Sequence, residues 1–301
     1  MIKKKDGYMR RNYLLAFSAM LMWSTMSGTV KLLFNRTPSI PNFQVLSVSA
    51  FFAFVALLLY IVVTGKIKAV KQYNFGDILN MSGLGFLGFF MYTALYFYGI
   101  SVLTAQEACI VNHLWPMMIV VFSVIILGEK LSAVKVGALV SSFIGVVILS
   151  GGIHGDGQIW GILSCAAGAV CYGLFTALNK KKDYDQNIAM TIMWLVTALA
   201  AGIAGFFTET WVPLNTTEII GLLWIGAATD AAAYLLWTIA IHSSENTAPI
   251  ANMAYITPFM AMIVSWLLLG EKLSPTAAIA LIFIVGGVAV QGLYEAKHNK
   301  A

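Results

Sequence analysis

The sequence predicts an all-α integral membrane protein of ten transmembrane helices, arranged as two inverted five-helix repeats around a central cavity. Three observations carry that expectation. Of 301 residues, 59% are hydrophobic and only 10% charged, against about 25% charged in a typical soluble domain. Apolar runs of about 20 residues, the length that spans a bilayer as a helix, recur from end to end. The hexapeptide LGEKLS occurs twice, at 127–132 and at 269–274. The alternating polarity of membrane barrel strands is absent.

The runs fall at 12–34, 41–63, 77–100, 104–127, 134–151, 157–179, 187–208, 217–241, 246–269 and 275–295. The N-terminal MIKKKDGYMRRNYLL begins like a signal peptide, but the apolar run behind it is too long for one and nine more follow. It reads as a basic cytoplasmic tail leading into the first crossing. Pro38 and Pro41 bracket the first turn. Gly128, Gly151, Gly152 and Gly270 stand at run ends, where a left-handed residue closes a helix. Ser274-Pro275 reads as an N-cap followed by proline in the first turn.

Basic residues set the orientation. With the N-terminus inside, the cytoplasmic side collects Lys3, Lys4, Lys5, Arg10, Arg11, Lys66, Lys68, Lys71, Lys130, Lys135, Lys180, Lys181, Lys182, Lys297 and Lys300, leaving Lys31, Arg36 and Lys272 outside. A missed helix would scramble that division. The net charge of +5 therefore reports topology. No basic helix with interleaved aromatics marks a nucleic-acid partner. The expected location is a cell membrane, with both termini cytoplasmic.

The two LGEKLS copies then lie on opposite sides of the bilayer, each in a tight hairpin. The offset of 142 also pairs Pro116 with Pro258, Gly145 with Gly287 and Tyr92 with Tyr234. Residues 1–152 and 153–301 read as a five-helix unit used twice. Because five is odd, the second copy is threaded upside down, with a substrate site near the midplane between halves. The bland alternative is chance recurrence of a helix-ending motif.

Ionisable groups inside lipid are costly and need a reason. Asp230 lies near the middle of the eighth run, in GAATDAAAYLLWTIAI, with Tyr234 and Trp237 on the same face at i+4 and i+7. Together they offer a carboxylate to a substrate ammonium and two rings for stacking or cation–π contact. The alternative is an aspartate bonded to a neighbouring helix. In the fourth run, TAQEACIVNHLWP places Glu107 one turn in, Asn112 and His113 deeper, and Pro116 where a main-chain carbonyl is freed. Glu107 equally fits a wet carboxylate at a helix N-terminus, and His113 a packing residue. Asp230, Glu107 and His113 are the proton-coupling candidates. Further polar or aromatic positions are Trp23, Ser24 and Ser27, Tyr92 and Tyr96, Tyr172 and Thr176, and Asn252, Tyr255 and Thr257. Gly83, Gly85 and Gly88 permit close helix contact.

Cys109, Cys165 and Cys171 all lie in apolar runs and read as free thiols. No phosphate-binding G-x-x-x-x-G-K-[ST], C-x-x-C or H-E-x-x-H occurs, so no ATP-driven pump, cofactor or metal is expected.

The stretches WSTM (23–26), QEACIVNHLWP (106–116), TALNKK (176–181), AYLLW (233–237) and TPFM (257–260) make the chain resemble the drug/metabolite transporter superfamily, in its ten-helix EamA-type form. Within it, the chain is similar to aromatic amino acid exporters. The resemblance implies a secondary transporter moving amino acids or related small amines by alternating access, not an enzyme. It implies a cavity lined by Trp23, Tyr92, Glu107, Asn112, Trp115, Tyr234 and Trp237. Two positions depart from the pattern. His113 stands where tyrosine is usual, and Asp230 where a small or apolar residue is. The extra carboxylate favours an amino group or a cation. The alternatives left open are an exporter of cationic drugs or other amine metabolites, a membrane-embedded enzyme acting on lipid, and a channel.

Overall fold

The structure is a computed structural model that describes residues 2–130, 132–150, 156–243, 250, 253–272 and 274–298. These are helical throughout, with no strand among them. The elements are α1 (Ile2–Phe34), α2 (Asn42–Val63), α3 (Phe75–Val102), α4 (Ala105–Leu127), α5 (Ala133–Ser150), α6 (Asp156–Asn179), α7 (Gln186–Thr208), α8 (Thr216–Ile241), α9 (Ala254–Leu269) and α10 (Pro275–His298). A short 3₁₀ turn, Lys66–Gln72, links α2 to α3. Seven helices (α2, α3, α4, α6, α7, α8 and α10) are long and apolar enough to cross a membrane, and α5 and α9 are shorter apolar helices.

Boundaries follow the sequence signals closely. Gly128 and Gly270, the second residue of each LGEKLS, close α4 and α9 with φ of 71° and 67°, a conformation that only glycine adopts cheaply. Ser132 and Ser274 then accept the amides of Lys135 and Ala277. The basic segment before the first apolar run is helical from Ile2 and continuous with the first helix. Gly151, Gly152, Asn252 and the start of the predicted ninth run lie outside the described residues, as do Leu131 and Leu273.

The packing brings the two parts of the chain together by exchange. Helix α1 packs on α8 and α9, while α6 packs on α3 and α4; α2 pairs with α7 and α5 with α10. Close approach is made by removing side chains. A Cβ on Gly99 would lie 2.1 Å from the Cys165 sulfur, and one on Gly173 2.6 Å from the Met118 backbone. Between α5 and α10, Ser141 donates to the Phe283 carbonyl at 2.7 Å and Ser142 to that of Ile284 at 3.4 Å, each pair being 142 residues apart. Gly145 lies against Ala280, and Gly287 against Ala138, the same two contacts with the roles exchanged.

Helix ends are tied by charge. The first amides of a helix lack intrahelical acceptors. Glu209, just past α7, accepts the Phe43 and Gln44 amides of α2. Asp185 caps its own α7 and pairs with Lys66 at 2.9 Å. Glu271 accepts the Ala105 and Gln106 amides of α4 at 2.8 and 3.2 Å. Beside it, the Lys31 ammonium donates to the carbonyls of Ile100, Ser101 and Leu103 at the end of α3.

Candidate functional site

Three local irregularities shape the middle of the bundle. In α3, residues Phe86–Met91 are π-helical, immediately before Tyr92. In α8, Trp224–Ala232 are π-helical and contain Asp230. In α4, the helix stops at Asn112, turns through His113 and Leu114, and restarts at Trp115. The last has a plain cause, because Pro116 has no amide hydrogen to donate to Asn112 and its ring crowds that carbonyl. Wide π turns re-aim the side chains that follow them and recur at functional sites.

These irregularities turn aromatic and polar groups from five helices towards one another. Trp23 of α1 donates its indole N–H to the Thr229 carbonyl at 3.0 Å and packs on Trp237, with ring centroids 5.5 Å apart. Tyr92 of α3 lies 4.9 Å from Tyr172 of α6 and stacks with Tyr96 at 6.2 Å; Trp115 of α4 meets Tyr172 edge-on at 5.5 Å. Asn112 donates to the Tyr92 hydroxyl at 2.9 Å, and its own side-chain carbonyl oxygen is buried with no hydrogen-bond partner among the described residues. That leaves a phenol proton and an amide oxygen side by side, a donor next to an acceptor.

Asp230 is within electrostatic reach of the Tyr92 hydroxyl, as Tyr234 is of Tyr172. Its carboxylate has a single hydrogen bond among the described residues, a long one of 3.5 Å from the adjacent Thr229 hydroxyl. Among the described residues it makes no hydrogen bond to a neighbouring helix. Trp23, Tyr92, Trp115, Tyr172, Asp230, Tyr234 and Trp237 all keep part of their surface accessible, although they lie within helices and face other helices. The described lysines and arginines sit in loops or towards helix ends, away from this cluster.

Three expected site residues sit differently. Tyr96 is buried at 3% exposure, one turn further along α3 than Tyr92, within the packed core. His113 is half-buried in the α4 turn, its Nδ1 2.7 Å from the Cys109 carbonyl. Glu107 is at the start of α4, where its carboxylate accepts the amide and hydroxyl of Thr104 and Thr104 in turn accepts the Glu107 amide. This reciprocal capping box is written in the sequence as T-x-x-E. Conversely, Tyr172 holds a central place in the cluster that its sequence surroundings do not single out. The Thr229 carbonyl, being main chain, has no sequence signal at all.

Two surface clefts lie elsewhere. One of about 410 Å³ is lined by Gly76, Asn80, Gly83 and neighbours on α3 with Leu178 of α6. The other, about 460 Å³, runs between α5 and α10. Both open on apolar helix faces and neither holds an ionisable side chain. Among the described residues no group of three or more His, Cys, Asp or Glu is placed to hold a metal, and the three cysteines are free.

Comparison with known proteins agrees with this architecture. A solved crystal structure shares the fold with a TM-score of 0.69, at 23% identity, over 96% of this chain and 98% of that one. An uncharacterized transporter of Clostridium kluyveri is 24% identical over 97% of this chain and 96% of its own. The aromatic amino acid exporter YddG of Ancylobacter novellus is 24% identical over 93% and 96%. An S-adenosylmethionine/S-adenosylhomocysteine transporter of Chlamydia muridarum is 27% identical over 68% and 69%. The EamA-like transporter family matches twice, at residues 10–151 and 159–292. Most of the chain is covered by those two matches: it is a multi-pass membrane transporter, not an enzyme, and belongs to the EamA-like transporter family.

Proposed function

We propose that this transporter is a secondary exporter of amino acids, aromatic or neutral, or of related small amines, working by alternating access across the cell membrane. The carrying observation is the convergence of Trp23, Tyr92, Asn112, Trp115, Asp230, Tyr234 and Trp237, from four helices, on one partly accessible cluster at mid-bundle. In this reading Asp230 receives the substrate ammonium, the rings flank its side chain, and the Tyr92 hydroxyl with the Asn112 carbonyl orients its polar end. Tyr96 and His113 back the cluster, and Glu107 stands at the outer rim. Asp230, Glu107 and His113 are the groups through which a proton would be exchanged.

The same reading makes the chain ten crossings in two inverted halves, 1–152 and 153–301, with both termini cytoplasmic. The double family match supports it, as do the exchanged partners of α1 and α6 and the contacts between α5 and α10 at an offset of 142.

A second reading is favoured by one feature. Among the described residues, the cluster holds a carboxylate and no cationic side chain to meet a substrate carboxylate. That balance suits an organic cation better than a zwitterion. Export of a cation against an inside-negative potential is opposed by about 2.3 kcal/mol per 100 mV, so that substrate requires proton antiport, whereas a zwitterion does not.

The test is uptake and counterflow in proteoliposomes across a panel of amino acids and amines, with and without a pH gradient. Saturable counterflow of amino acids that is lost in Asp230→Asn supports the first reading. Loss confined to amines, with dependence on the gradient, supports the second. Conversion of a lipid without movement of any solute refutes both.

A further inference from the structure

We infer that Trp23, besides lending its ring to the cluster, is a positioning residue for Asp230, acting through the main chain. The inference rests on the assignment of Asp230 to the site.

Asp230 sits in the π-helical stretch of α8, where the hydrogen-bond pattern is wider and less self-supporting than in an α-helix. A contact from outside the helix adds a second constraint on the direction of a side chain in such a stretch. Here α1 supplies it. The Trp23 indole donates to the carbonyl of Thr229, the residue immediately before Asp230. In the opposite sense, the Trp224 indole of α8 donates to the Thr25 hydroxyl of α1 at 2.8 Å. Further along α8, Trp237 packs on the Trp23 ring. These three contacts span residues 224–237 and enclose Asp230. Thr229 is fixed from both ends, since its hydroxyl also bonds the Ile225 carbonyl at 2.5 Å.

The carboxylate itself has almost no direct support, only the 3.5 Å bond from Thr229. Its direction is therefore set by the backbone at 229–230. An indole N–H can only donate, and the carbonyl is the acceptor it has found. The titratable group coupled to Asp230 is the Tyr92 phenol, and the hydroxyl of Tyr92 is bonded to Asn112.

Trp23→Phe removes the N–H and keeps an aromatic ring against Trp237, so it separates bracing from packing. Trp23→His, which retains a ring N–H, is the second variant, and Thr25→Val, which cuts the tie further from Asp230, is the control. The full-length protein is reconstituted in lipid, and infrared difference spectra are taken over a pH titration, with Asp230→Asn identifying the Asp230 carboxyl band. Trp23→Phe is expected to move that band, or to shift its midpoint by half a pH unit or more. Trp23→His recovers part of the change, and Thr25→Val leaves the band in place. For whichever of L-phenylalanine and phenethylamine the wild type carries, Trp23→Phe raises KM roughly tenfold, the effect of one lost hydrogen bond. An unmoved band in Trp23→Phe overturns the inference. If instead Asp230→Asn leaves transport of every panel compound intact while the band moves, the bracing stands and the proposed substrate site falls.

Discussion

The contact between α2 and α8 can be tested at a single methyl group. Gly226, in the π-helical part of α8, is buried against the backbone of α2. A Cβ built there would stand 2.0 Å from the Ser49 carbonyl oxygen, 2.9 Å from the Ala53 nitrogen and 2.9 Å from the Phe52 Cβ. An ordinary carbon–oxygen contact is roughly 3.2 Å, so Gly226→Ala forces an overlap of about 1.2 Å on main-chain atoms that cannot rotate away. Either α2 is displaced by about 1 Å along its length or the interface opens. Overpacking of this kind costs typically 1–3 kcal/mol, and backbone-on-backbone overlap belongs at the upper end. At about 2–4 °C per kcal/mol, the expected loss is at least about 6 °C in Tm. The control is Gly83→Ala. A Cβ at Gly83 in α3 meets nothing within 4 Å, and alanine is the better helix former by about 1 kcal/mol, so that variant holds or gains Tm. The assay is thermal unfolding of purified protein in one detergent, followed by intrinsic fluorescence and by the monodisperse fraction. If Gly226→Ala unfolds with the wild type, α2 and α8 do not meet at these residues, and the placement of Asp230 one turn further along loses its footing.

Glu271→Ala removes the acceptor of two α4 amides and is expected to cost about 0.5–2 kcal/mol, as loss of a helix cap does. Glu129→Ala breaks the ion pairs to Lys135 and Lys180; the Lys180 pair is well exposed and Glu129 itself is more than a third exposed, so Tm should change little; equal losses in the two variants would refute the distinction. Burial opposes ionisation of Asp185, but hydrogen bonds from Lys66 and from the Asn187 and Ile188 amides outweigh it and hold its carboxyl below the usual carboxylate range. A folded value below the unfolded one stabilises above the unfolded value, about 3.9, and that contribution fades as pH falls through the folded value. The Tm advantage of wild type over Asp185→Asn should therefore be present at pH 7 and shrink below about pH 4; an advantage constant with pH would show that the charge contributes nothing.

What the sequence announced and what it concealed divide along the range of the interaction involved. Gly128, Gly270, Ser132 and Ser274 mark helix ends because a left-handed cap or a capping hydroxyl acts within a turn of its own residue. Pro116 announces the break at His113 and Leu114 for the same reason. The π-helical stretches of α3 and α8 carry no such mark, since neither FLGFFM at Phe86–Met91 nor WIGAATDAA at Trp224–Ala232 holds a proline or a capping pattern that would announce a widened turn. The pairing of Tyr92 with Tyr172, or of Trp23 with Thr229, is tertiary. Helical spacing places Asp230, Tyr234 and Trp237 on one face but does not say which helix that face meets. Glu107 shows the converse. It was legible both as an intramembrane carboxylate and as the last residue of a T-x-x-E box, and the local bond to Thr104 is the one formed.

The two LGEKLS segments show how far identical residues determine identical roles. In both, glycine closes the preceding helix and serine caps the next, because these jobs involve only neighbours in the chain. The glutamates part company, because a carboxylate on a hairpin bonds whatever another helix presents. Glu271 meets the bare amides of Ala105 and Gln106 at the start of α4, where Gln106 also returns its amide to the Glu271 and Lys272 carbonyls. Glu129 meets the ammonium groups of Lys135 and Lys180. Both glutamates reach beyond their own hairpin, Glu271 to the main-chain amides at the start of α4 and Glu129 to the Lys180 ammonium just past α6. A repeated sequence thus gives the two ends of the bundle the same turn and an unequal grip, and the inequality resides in the partners.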